Sequence, residues 1–135
     1  MADKLNLEVV TPERRLLSET VDAVTVPGAN GEIGILPGHA GLISLLKAGV
    51  LTYTVGASAS RLMVSGGFVE VVNDRVSVLA GQAETSEEVN LESAKRDRDQ
   101  AEKALQQAGS DPVAFEAAQT NLDRAAARVQ LASGS

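Results

Sequence analysis

The sequence offers few side chains that could do covalent chemistry. It has no cysteine, which removes disulfides, thiolate nucleophiles and sulfur-ligated metals together. The single histidine, His39, rules out a multi-histidine metal site and is the one imidazole general base available. A small hydrolase using His39 with Glu32 can be written on residue type. A base needs a nucleophile held beside it, however, and the flanking residues form no such constellation. Gly28, Gly31 and Gly34 in VPGANGEIGILPGHAG invite a phosphate-loop reading. Their spacing misses the dinucleotide fingerprint, and no Gly-Lys-Ser/Thr follows, so turns between strands are favoured. Arg124 and Arg128, one helical turn apart, read as a small basic patch for an acidic partner. Glu84, Glu87 and Glu88 read as an acidic approach to a helix start, worth a few tenths to about 1 kcal/mol. Lys95 to Asp99 reads as a solvated, mixed-sign helix face. No catalytic and no metal residue emerges; what remains is contact chemistry.

Composition narrows the elements that carry these contacts. Twelve basic against eighteen acidic residues give a net charge of −6, the wrong sign for a nucleic-acid clamp. The start MADKLNLEVV lacks a basic leader followed by an apolar run, and no stretch reaches the roughly 18 apolar residues of a membrane span. A cytoplasm-like setting is expected. Ten of the twelve glycines lie in residues 1–86, whereas residues 87–135 hold eleven alanines. Backbone preference therefore changes near residue 86, from strand and turn formers to helix formers. The expected division is a strand-rich domain over 1–86 and a helical domain over 87–135.

Alternating Leu5, Leu7 and Val9 predict a strand closed by Thr11-Pro12. Val21, Ala23 and Val24–Val26 predict another, ending at Pro27-Gly28. Further strands are expected over 34–36, 42–46, 50–55, 61–65, 68–72 and 75–79, hinged on Gly- and Asn-rich turns. Short, closely spaced strands with no helix between them suggest an antiparallel sandwich or barrel with a small Val, Leu and Ile core. Beyond residue 86, Asn90 is a plausible N-cap and Gly109 a stop for a first helix. Asp111-Pro112 starts a second, with Phe115, Ala118, Leu122, Ala125 and Val129 on one face. The short break makes the pair an antiparallel hairpin zipped by alanine. Phe115, Leu105 and Leu122 are its only sizeable apolar groups along the facing stripes. So thin a seam suits a helix pair that can leave its parent domain for a better surface.

Taken together, LNLEVVTPERRLLSETVDAVTVPGANGEIGILPGHAGLISLLKAG, the later SGGFVEVVNDRVSVLAGQAE and the hairpin resemble the epsilon subunit of bacterial F-type ATP synthase across essentially the whole chain. The most specific piece is VPG-x-x-GE-x-GILPGHA followed by SGGFVEV. The resemblance implies a flattened antiparallel β-sandwich followed by an antiparallel two-helix hairpin. It implies a non-catalytic rotor subunit that touches the gamma shaft and the c ring, at the cytoplasmic face of a bacterial plasma membrane rather than a plastid thylakoid. Glu32 and His39 match positions that meet the c ring. The hairpin either lies on the sandwich or extends into the alpha/beta catalytic hexamer to brake hydrolysis, with Arg124 and Arg128 facing an acidic segment there. Some members bind ATP through I/L-D-x-x-R-A at the first helix. Here Asn90 replaces the acid and Ser93 the arginine, so no cofactor is expected. Gly41 stands where the family usually carries proline. The rival reading is a free-standing adaptor with the same two parts.

Overall fold

Alternation of Val and Leu with polar residues gives most of the first 85 residues one apolar face per strand, and two such faces close on each other. The computed structural model describes residues 3–134. Ten strands precede two helices: β1 (Leu5–Val10), β2 (Arg15–Val21), β3 (Ala23–Gly28), β4 (Gly31–Ile35), β5 (Leu42–Leu45), β6 (Gly49–Val55), β7 (Ser58–Ser65), β8 (Phe68–Val72), β9 (Arg75–Leu79), β10 (Gln82–Thr85), α1 (Leu91–Gln107) and α2 (Pro112–Ala132). Sheet A has the order β2-β1-β9-β8-β5, and sheet B the order β10-β7-β6-β3-β4. The core between them comprises Leu5, Leu7, Val9, Val24, Val26, Ile35, Leu51, Leu62, Val64, Val69, Val71, Val76 and Val78.

The sandwich expected from sequence is present, with corrections. It is antiparallel except where β1 runs parallel to β9, pairing Asn6 with Arg75 through Val10 with Leu79. Val21 and Ala23 belong to different strands: the chain passes from sheet A to sheet B at Asp22. There the Asp22 carboxylate is bonded by Lys4 and accepts from the Gly56 N–H at 2.6 Å. Two strands were not anticipated, β2 and β10, and both are sheet edges. Leu16 and Leu17 are adjacent rather than alternating, and β10 has only Ala83 pointing inward. Gly28 and Gly31 close the β3–β4 hairpin around Ala29-Asn30, whereas Gly34 lies within β4 opposite Thr25.

The crossing from β7 to β8 explains the Gly66-Gly67 pair. Gly67 has φ +86°, and a Cβ there would lie 1.8 Å from the Leu79 carbonyl oxygen. Its own carbonyl accepts from the Leu46 N–H at 2.9 Å, so three strand ends meet where no side chain fits. The β8–β9 turn places Asn73 and Asp74 at positive φ, the geometry of a tight hairpin.

Asn90 and Asp111 cap the helices as expected: Asn90 Oδ1 accepts from Ser93 N–H at 2.9 Å, and Asp111 Oδ1 from Val113 N–H at 3.0 Å. Gly109, at φ +60°, ends the first. The seam buries Ala94 and Ala101 of α1 and Ala118 and Ala125 of α2. Phe115, toward the hairpin tip, stays 46% exposed, and Val113 is exposed as well.

Candidate functional site

Sheet B has its outer face partly covered. Helix α2 lies on β6 and β7. Met63 of β7 points outward from the core into a second cluster with Ala127 and Leu131, flanked by Val50 and Val89. This explains why Leu62, Met63 and Val64 are buried in succession: the sandwich takes one face and the hairpin the other. The docking surface is small, with Met63 and Leu131 its large buried groups.

Arg128 adds the polar part of this contact. Its Nε donates to Glu84 Oε1 at 2.8 Å and its Nη1 to Asp97 Oδ2 at 3.0 Å. One guanidinium thus joins β10, α1 and α2. Arg124 instead donates to Asn121 Oδ1 at 2.7 Å. Arg124 and Arg128 line one hollow between the helices with Asp97 and Asn121, and two carboxylates bond the second arginine. The acidic approach to α1 is also redistributed. Glu84 sits in β10, and Glu88 closes the 3-10 turn over 86–88 by accepting from the Thr85 N–H at 2.8 Å. Glu88 also pairs with Arg14 at 2.7 Å, and the Thr85 N–H together with this cation holds its carboxyl below the ordinary value of 4.5. Hydrogen bonding by Lys4 and the Gly56 N–H similarly holds Asp22 below 3.8. In the first turn of α1 only Glu92 is acidic. Asn90 and Ser93 bond to each other as cap and capped residue.

Glu32 and His39 do not share a loop. Glu32 is an exposed residue of β4 opposite Pro27, just past the β3–β4 turn, while His39 lies beyond the other end of that strand. At about 3.3 Å per residue, the stretch of β4 from Glu32 to Ile35 spans about 10 Å. The His39 loop is pinned: His39 N–H donates to the Leu36 carbonyl at 3.1 Å, and Gly38 N–H to Asp74 Oδ1 at 2.7 Å. The His39 Nδ1 lies 2.7 Å from the Ala40 carbonyl oxygen. Among the described residues no cluster of His, Cys, Asp and Glu could hold a metal. Strands β4 and β5 are the edges of their sheets, so both residues border one side of the sandwich.

The outer face of sheet A carries a surface that sequence reading missed. Leu45 pairs across with Phe68, Phe68 with Leu79, and Leu79 with Val10, a continuous apolar row over four strands. Ile43 extends it along β5; Leu45 is 68% and Ile43 70% exposed. A cluster of large bare apolar groups is a mark of protein contact. Part of the signal lies in FVEVV, which places apolar residues on both faces of one strand although only one face meets the core.

No helix of the described residues is long and apolar enough to cross a membrane. Residues 4–86 match the family model for the ATP synthase delta/epsilon chain beta-sandwich domain, and residues 87–133 that for its long alpha-helix domain. The chain is 43% identical over 132 residues to the ATP synthase epsilon chain of Syntrophobacter fumaroxidans, with 98% of each covered. It is 43% identical over 135 residues to that of Geotalea daltonii, covering all of this chain and 98% of the relative. Over 105 residues, 78% of each chain, it is 51% identical to that of Carboxydothermus hydrogenoformans. Its fold is similar to a chain in the OSCP/F1/c-ring structure of the Euglena gracilis mitochondrial ATP synthase. That match has a TM-score of 0.77 and 24% identity, over 91% of this chain and 78% of that one. A second fold match, in the central stalk and c-ring structure of the Tetrahymena thermophila enzyme, has a TM-score of 0.58 at 15% identity, covering 98% and 96%.

Proposed function

The chain belongs to the ATP synthase delta/epsilon family, in which the epsilon chain does no chemistry of its own, and we propose that it couples gamma shaft to c ring and brakes hydrolysis. In this reading the sandwich is the rotor-binding unit, and the hairpin over 87–135 is the regulatory arm. The observation that carries it is the contrast between the two outer faces. Sheet A offers a bare apolar row, suited to permanent seating on the shaft. Sheet B is covered by a hairpin whose buried contact is small, suited to exchange of docking surfaces. Glu32 and His39 would meet the c ring along the β4–β5 side, as two separated contacts rather than one loop. Arg124 and Arg128 would face the catalytic alpha/beta hexamer once the arm extends. At about 1.5 Å per residue, two opened helices of this length could reach up to about 50 Å. Membrane association would be peripheral, through the complex.

The test is a truncation placed by the structure. Because β10 completes sheet B, the cut belongs after Glu88 and not inside residues 82–85, and Met63→Thr keeps the uncovered face polar. The shortened chain should still assemble with gamma and the c ring, while ATP hydrolysis by the reassembled complex rises. Unchanged hydrolysis would refute the brake. Failure of the intact chain to be retained by a gamma-type shaft would favour the free-standing adaptor.

A further inference from the structure

We propose that Arg128 is an ionic latch: its bonds to Glu84 and Asp97 hold the hairpin down without nucleotide, and they occupy the cation the extended arm would present. This rests on the reading of a releasable hairpin. The Arg128–Glu84 pair is well shielded, at 17% and 26% side-chain exposure. Lys4–Asp22, Arg14–Glu88 and Arg15–Glu8 are each about a third or more exposed on both sides, and in the Arg128–Asp97 pair the carboxylate is 52% exposed. Burial matters because solvent screening cancels most exposed pairs.

Position matters as much. Glu84 belongs to the sandwich, and Arg128 lies on α2 between Ala127 and Leu131's turn, so their bond spans the boundary that must open. Asp97 belongs to α1, so its bond ties the two helices of the arm together. Breaking the first undocks the arm, and breaking the second loosens the arm itself. With only Met63 and Leu131 as large apolar anchors, one charge-assisted bond is a sizeable share of the docking energy. The cap residues Asn90 and Ser93 supply no cation there, so Arg128 fills the fastening role internally.

Amide hydrogen exchange on the isolated full-length chain tests the latch independently of the motor. Glu84→Gln should accelerate exchange over residues 118–132 by about three- to tenfold, with β1 and β9 unchanged. Glu102→Gln, on the exposed face of α1, is the control and should change nothing. In an Arg128→Gln background the Glu84→Gln effect should vanish, since the two act through one bond. Equal exchange in Glu84→Gln and the control, or an undiminished effect in the Arg128→Gln background, overturns the latch. Should Glu84→Gln disturb β1 and β9, the unaltered chain decides. Raising sodium chloride from about 0.1 to about 1 M, which shortens the Debye length from about 10 to about 3 Å, must speed exchange in 118–132 more than it does in Arg128→Gln. A flat response there overturns the latch too. Hydrolysis unaffected by truncation, with exchange as expected, would instead remove the brake and leave the latch standing.

Discussion

Single residues in this chain do positional work. Gly67 is the sharpest case, because positive φ and the Leu79 carbonyl both forbid a side chain there. Gly67→Ala should destabilise the sandwich by at least about 2 kcal/mol, whereas Gly34→Ala, with open space around it, should stay within about 0.5 kcal/mol. Urea unfolding of the two variants checks this. Asp22 and Glu88 make a prediction about acid. Both carboxyls are held below their ordinary values, so each contributes stability that is complete above that value and lost as pH falls through the lowered one. Thermal stability should therefore decline below about pH 5, and less steeply in the Asp22→Asn and Glu88→Gln double variant. An identical decline would show that other carboxylates govern acid unfolding.

At the scale of elements, strands that alternate over the core could be read from sequence, as could both helices with their caps. Leu5, Leu7 and Val9, or Asn90 and Asp111, state their local structure through spacing and side-chain chemistry alone. The edges β2 and β10 could not, since an edge strand with few inward residues is defined by its neighbour's unpaired backbone. Contacts across elements were equally hidden: nothing in the spacing of Arg128 names Glu84, and nothing in the helical period of Phe115 gives its exposure. The row Leu45, Phe68, Leu79 and Val10 also needed register to be seen. Leu45→Glu, at an exposed position, should leave the melting temperature nearly unchanged. Retention on a gamma-type shaft should weaken at least about tenfold if the row is the seat. Unchanged retention would move the seat elsewhere on the sandwich.

For the whole molecule, the division of labour between the two outer faces follows from one topological fact. The chain crosses between the sheets repeatedly, so the sandwich is stitched and cannot open, while the hairpin joins it only through residues 86–90 and a shallow contact. Rigidity and release are thereby assigned to different parts of one chain. The parallel ladder between β1 and β9 has a further effect during biosynthesis. Strand β1 leaves the ribosome well ahead of β9, whose pairing with it begins only at Arg75. The nascent sandwich must wait, one flank of β1 bare, until β9 has been translated.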